Sequence, residues 1–236
     1  EVVDALPAHH LVVDGDEFRE RFVTWDEAAA WFGTTLGPLS AEVGDSRVVN
    51  ALGSQGVVPG ALPDGAILEV SPRAAGWIRE VAQGIERGYA LIVDYGYPAA
   101  ELYRGHRLGG LLRGYREHTV TDDPFTAIGE QDLTTHVDFS WLASAARGAG
   151  MHEIGLTTQA DFLAALGLGD LLVTFQHDGE TSIDEYYQAQ AAVLRLIDPG
   201  GMGRFRVLGL SKGVTNADGV HPVRGFVAPA LDYPEF

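Results

Sequence analysis

Apolar and polar positions along the chain divide it into segments of two periods. Leu91, Ile92 and Val93, inside Tyr89–Tyr97, form a short apolar run without alternation, which predicts a parallel strand covered on both faces. The run stops at Asp94, followed by the aromatic-glycine-aromatic turn Tyr95-Gly96-Tyr97. Upstream, Ala74, Trp77, Ile78, Val81 and Ile85 recur at helical spacing, and Ser71-Pro72 offers an N-cap with proline at the first helical position. A helix over 72–87 therefore feeds the strand, preceded by a short strand over 66–70. His10–Val13 and Glu17–Trp25 flank Asp14-Gly15, a hairpin signal. A short helix is expected over 26–32.

The second half reads as a helix capped by Ser140, or by Asp138, running through Arg147. A strand follows over 151–156, then a short helix over 159–166. Ser182-Ile183-Asp184-Glu185 is a capping box, and Ile183, Tyr186, Ala189, Val193, Leu194 and Ile197 mark the inward face of a long helix. Arg204–Leu210 predicts a last strand, with an irregular tail after Lys212. Between Pro98 and Asp138 lie some forty residues with little periodicity, a length that marks a functional loop. Alternating strands and helices of this kind make an α/β sheet.

The chain of 236 residues is 46% apolar and can bury a substantial core. Sixteen basic against 33 acidic residues give a formal charge of −17, which excludes nucleic acid and anionic membranes as natural partners and favours a basic protein segment. Without cysteine there is neither a disulfide framework nor a thiolate metal site. No apolar run approaches the ~18 residues that span a bilayer, and a soluble protein is expected.

Four clusters carry chemistry. Strand tips of open α/β sheets collect ligands, which draws attention to Asp94, Tyr95, Gly96 and Tyr97, although an acid after a strand also caps a turn. Glu1 and Asp4, three residues apart before Pro7, could hold a cationic group or cap a turn. Arg107, Tyr115 and His118 bring donors into a glycine-rich segment that fits no phosphate-loop pattern. Asp132, Thr134, His136 and Asp138 form the last cluster. His136-x-Asp138 matches a facial-triad iron site with His177 or His221 as a third ligand, and equally a helix cap.

In that order these segments resemble the MidA-like S-adenosylmethionine-dependent methyltransferases, a family that includes mitochondrial complex I assembly methyltransferases acting on arginine. The shared stretches are Glu1-Val-Val-Asp4-Ala-Leu-Pro7, Asp94-Tyr-Gly-Tyr97, Arg107 through His118, Gly129 through Phe139, and Thr158-Gln-Ala-Asp-Phe-Leu163. The resemblance implies the C-terminal part of a class I, Rossmann-like methyltransferase sheet, its last strand antiparallel, with an inserted α+β subdomain. Residues 9–70 would be the inserted hairpin and helical subdomain, and 98–138 a long active-site loop region. It implies S-adenosylmethionine as cofactor, with Glu1, Asp4 and Pro7 near it, and a protein arginine or similar cation as acceptor. Glu1 and Asp4 would be catalytic. Asp94, Tyr95, Gly96, Tyr97, Arg107, Tyr115, His118, Asp132, Thr134, His136 and Asp138 would bind substrate, with no metal. Where the family has Gly-Thr-Leu, this chain has Gly109-Gly110-Leu111, so a hydroxyl is missing.

The glycine-rich turn that cradles the cofactor belongs upstream of Glu1. On this reading the chain is a fragment of a longer enzyme, inactive alone, and either dimeric or associated with its missing part. The compartment expected is the bacterial cytoplasm, or the mitochondrial matrix in a eukaryote. A non-catalytic assembly module on the same scaffold is the rival reading, with the iron oxygenase as a third.

Overall fold

The computed structural model describes residues 2–20, 46–117, 119–121, 130–177, 181–214 and 223–226. The helix expected over 26–32 and the predicted site residues Glu1 and His118 lie outside them. The described chain is mixed α/β with several small sheets, in two compact units: 1–80 with 96–145, and 81–95 with 146–236.

The first unit is built on the predicted hairpin. β1 (His9–Asp14) and β2 (Glu17–Glu20) pair antiparallel with Asp14 opposite Glu17, and Gly15 takes the left-handed conformation that a two-residue turn needs. β3 (Ile67–Val70) closes this sheet on the other side of β1. Inward positions Leu11, Val13, Phe18, Leu68 and Val70 pack against Val48 and Leu52 of α1 (Ser46–Ser54). α2 (Pro72–Gly84) starts where Ser71 accepts a hydrogen bond from the Ala74 N–H at 3.3 Å, the predicted N-cap.

Where the sequence predicts a long loop over 98–138, the structure has short elements. β4 (Gly88–Asp94) belongs to the second unit. After it come β5 (Gly96–Tyr97), α3 (Ala99–Leu102), a 3-10 turn at Gly105–Leu108, and the strands β6 (Arg113–Arg116), β7 (Thr119–Thr121) and β8 (Asp132–Thr134) in the order β7-β6-β8. Three- and four-residue strands of mixed composition leave no periodicity to read. β9 (Val137–Asp138) pairs parallel with β5 and leads into α4 (Phe139–Gly148). Asp138, not Ser140, caps α4: its Oδ1 accepts from the Trp141 N–H at 3.0 Å, while Ser140 Oγ accepts from the Ala99 N–H at 3.0 Å.

In the second unit, β10 (His152–Thr158), β11 (Arg206–Lys212) and β4 form a sheet in the order β10-β11-β4. β11 runs antiparallel to both neighbours, as the last strand of a class I methyltransferase sheet does. β4 departs from expectation in two ways. Among the described residues its neighbour is antiparallel and one of its faces is covered. Ile92 and Asp94 are buried, whereas Tyr89 is 52% and Leu91 51% exposed. An apolar run shows that both faces tolerate burial, not that both are buried.

α5 (Gln159–Ala165), α6 (Leu168–His177) and α7 (Ile183–Ile197) complete this unit. The capping box of α7 forms in full between Ser182 and Glu185. Its inward face is centred on Val193, however, and Ile183, at 75% exposed, and Leu194 point outward. The tail is not wholly irregular in its packing: the Phe226 ring lies against Gly155 and Gly209, and its centroid is 5.1 Å from that of Phe162. Bare glycines on adjacent strands make room for that ring.

Candidate active site

Within the first unit the Asp4 turn, the segment 132–138 and the Tyr97 and Arg107 side chains come together. The Thr135 N–H donates to the Asp4 carbonyl at 2.9 Å, and the Ser71 hydroxyl donates to the Pro7 carbonyl at 2.8 Å. The turn through Val3–Pro7 is thus tied at one end to the segment before β9 and at the other to the start of α2. The Asp4 side chain is buried.

Beside this turn lies a cavity of about 20 Å³, lined by Val3, Glu69, Ser71, Thr135, His136 and Asp138 among others. Measured over water centres, that is room for one water molecule. Thr135 is buried, and its Oγ1 has no hydrogen-bond partner among the described residues.

Asp138 is the hub of the site. Besides capping α4, its Oδ2 accepts from the Tyr103 hydroxyl at 3.0 Å, and Gln55 adds a side-chain hydrogen bond. Burial raises its carboxyl above the ordinary aspartate value, against the downward pull of the Trp141 N–H, Tyr103, Gln55 and the Ser140 N–H. Tyr103 is itself buried. Burial first, then the Asp138 charge and the hydrogen bond to it, push its phenol well above the ordinary value.

Facing the hub is a stack of three flat groups. The His136 and Tyr97 rings lie nearly parallel with centroids 5.5 Å apart, and the Arg107 guanidinium sits 4.0 Å from the Tyr97 centroid. One Arg107 nitrogen donates to the Glu101 carbonyl at 3.2 Å. Gly96 has a structural explanation: a Cβ there would collide with the Val137 backbone across the β5–β9 pair.

The remaining predicted residues lie elsewhere. Tyr115 and Asp132 are cross-strand partners on β6 and β8, and Thr134 stands opposite Arg113. Asp94 and Tyr95 belong to the second unit. There Asp94 accepts from the Tyr95 N–H at 2.8 Å, and the Tyr95 ring is tilted against Phe205 at 3.8 Å. Among the described residues no group of three or more His, Asp and Glu could hold a metal, and His221, one of the two third ligands the iron reading offered, lies outside them. Asp138 is engaged as a cap, and the His177 ring nitrogen meets the Val173 carbonyl.

Glu69 escaped the sequence reading. It is 7% exposed on β3, with His10 Nδ1 3.2 Å from its Oε1 and the Leu111 N–H donating to its Oε2 at 2.9 Å. A lone acid in Ala-Ile-Leu-Glu-Val was the available signal, since an unpaired charge is rarely buried.

Residues 1–157 match the sequence profile of the family described as "Putative S-adenosyl-L-methionine-dependent methyltransferase". The chain belongs to this family. It is 35% identical over 147 residues to the mitochondrial protein arginine methyltransferase NDUFAF7 of Rattus norvegicus, an alignment covering 61% of this chain and 31% of that protein. The human protein of the same name is 30% identical over 224 residues, covering 89% and 44%. A crystal structure of a "likely methyl transferase" from Burkholderia thailandensis, bound to S-adenosyl-homocysteine, superposes with a TM-score of 0.74 at 30% identity. That match covers 92% of this chain and 53% of the other. The alignments thus span about a third to a half of these relatives' lengths.

The family's cofactor is S-adenosylmethionine, and the Burkholderia structure holds its demethylated product. The residues described here do not fit a cradle for it. The cavity beside the Asp4 turn has room for a water, not a nucleoside, and Asp4 is buried.

Proposed function

We propose that the protein methylates a nitrogen, an arginine side chain of a protein substrate, and that this chain supplies the acceptor side of the site. The observation that carries the reading is the convergence of the Asp4 turn, the Tyr97–His136–Arg107 stack and Asp138 in one unit of a methyltransferase-family chain. A guanidinium is planar and stays protonated at neutral pH, so its nitrogen must lose a proton as a new bond to it forms. Carboxylates and aromatic faces suit both needs: they orient the cation and accept the proton. Glu1 and Asp4 orient the acceptor, Asp4 by fixing the turn with its buried side chain. Tyr97, His136 and Arg107 wall the approach, and Asp138 braces it from behind. The net charge of −17 favours a basic segment as partner.

The test is transfer of isotopically labelled methyl from S-adenosylmethionine to an arginine-glycine peptide by the full-length protein, read by mass spectrometry. Asp4→Asn should lower turnover at least about tenfold. Failure of the wild type to label arginine in that peptide or in any basic protein offered would reject the reading. The lack of a nucleoside-sized cavity beside Asp4 favours a second reading, a non-catalytic assembly module. Calorimetry separates the two, because a module of that kind takes up neither S-adenosylmethionine nor its demethylated product.

A further inference from the structure

We propose that Glu69 is a positioning residue of the acceptor site: its buried carboxylate ties the backbone at Leu111 to β3 and so holds Arg107 on the face of Tyr97. The inference rests on the proposed function for the word acceptor, and on geometry alone for the tie.

Segment 109–112 runs along β3. Gly109 forms a parallel bridge with Ile67, and two residues later the Leu111 N–H reaches Glu69 Oε2 at 2.9 Å. Gly110 makes this approach workable. Its φ of 89° is left-handed, and a Cβ there would stand 3.2 Å from both Glu69 Oε1 and Ile67 Cγ2. On the other side, His10 stands opposite Glu69 in the β1–β3 register and sets its imidazole 3.2 Å from Oε1. Burial pushes the carboxyl of Glu69 up. The neighbouring His10 imidazole, the Leu111 N–H, the His10 charge and the nearby Leu112 N–H outweigh that, leaving it below the ordinary glutamate value. The group is therefore held as the anion, which accepts from the Leu111 N–H.

Arg107 is two residues before the tied segment. Among the described residues its guanidinium has one acceptor, the Glu101 carbonyl, and one aromatic face, Tyr97. A segment released at 109–112 would free Arg107 to leave the stack, and the wall facing a cationic acceptor would lose its order. Glu69 touches neither ring. It acts through the backbone, and it also lines the cavity shared with Thr135 and Asp138, so one residue joins the two sides of the site.

Glu69→Gln is the informative change, because a neutral amide keeps the shape but turns a charged acceptor into a neutral one, which roughly halves the strength of the hydrogen bond. In the full-length protein, hydrogen exchange at Leu111 should speed up about tenfold while Leu68 and Val70 stay protected. With an arginine-glycine peptide and saturating S-adenosylmethionine, KM for the peptide should rise about fivefold or more with kcat within about twofold, because positioning acts on acceptor binding. Gly110→Ala reaches the same segment from the other side and should reproduce both effects. Unchanged exchange at Leu111 in Glu69→Gln overturns the tie. Faster exchange with an unchanged KM overturns the link to the acceptor while leaving methyl transfer intact. A wild type that transfers no methyl group rejects the proposed function and the acceptor role with it, and the exchange arm then decides the tie alone.

Discussion

Removing the Asp138 carboxylate should cost more stability than any exposed acid, and the amount can be built from its partners. Asp138→Ala deletes the cap on α4, worth about 0.5–2 kcal/mol. It also strands the Tyr103 hydroxyl, buried with Asp138 as its acceptor, at about 1–3 kcal/mol. Against these stands relief from burying a carboxylate whose own pKa is pushed up, which removes part of the sum. A net loss of about 2–3 kcal/mol follows, or about 4–12 °C in Tm for a chain of this size. Urea denaturation followed by circular dichroism measures it. Tyr103→Phe supplies the control: with no hydroxyl left to strand, Asp138→Ala in that background should cost about 1 kcal/mol or more less than in the wild type. If the two substitutions add without interaction, or if Asp138→Ala alone costs under about 0.5 kcal/mol, the hub is not a hub.

Three further outcomes follow from local geometry. Gly96→Ala must part β5 from β9 and should destabilise by about 1–3 kcal/mol, with altered near-ultraviolet circular dichroism from Tyr97 as the neighbouring signal. Ser182→Ala removes the side-chain half of the α7 capping box and should cost about 1 kcal/mol in urea denaturation without affecting any methyl transfer. Phe226→Ala removes a half-buried ring from the groove made by Gly155 and Gly209 and should cost about 1–3 kcal/mol, measured by thermal unfolding.

The long-period elements were legible because their signals are local. Ser71-Pro72, the Ser182–Glu185 box and Asp14-Gly15 each name an element boundary by chemistry that works within four residues. β4 and β11 could be placed for the same reason, as apolar runs ended by turns. What the pattern could not tell was which partner each face meets. Leu91 and Ile183 are apolar and exposed, while Glu69 and Asp138 are charged and enclosed. Those outcomes depend on contacts between residues distant in sequence: His10 and Leu111 around Glu69, Tyr103 and Trp141 around Asp138. The candidate site was accordingly legible as a set of segments and not as a geometry. Tyr97, His136 and Arg107 were named separately, and nothing in their spacing announces that they stack.

Two carboxylates on one small cavity, shifted in opposite directions, should leave opposite marks on the pH dependence of stability. Both Glu69 and Asp138 line it, and burial raises both. The difference lies in the donors: an imidazole and two backbone N–H groups favour ionised Glu69 enough to win, whereas the neutral donors around Asp138 do not. Glu69, lowered in the fold, contributes stability present above its unfolded value of 4.5 and lost as pH falls through its folded value. Asp138, raised in the fold, works the other way. Its contribution is full below its unfolded value of 3.8 and is lost as pH rises through its folded value. In the acid range around the ordinary values of 3.8 and 4.5, then, Glu69→Gln should flatten the rise of stability with pH and Asp138→Asn should steepen it, each relative to the wild type. Differences between variants isolate these two groups from the other acids of the chain. Urea midpoints across that range decide the matter, and slopes changed in the same direction by both substitutions would overturn it. Opposite slopes carry a chemical consequence: of the two acids, Asp138 holds a proton more readily and Glu69 stays the fixed anion. That division matches a tie at Glu69 and a brace at Asp138.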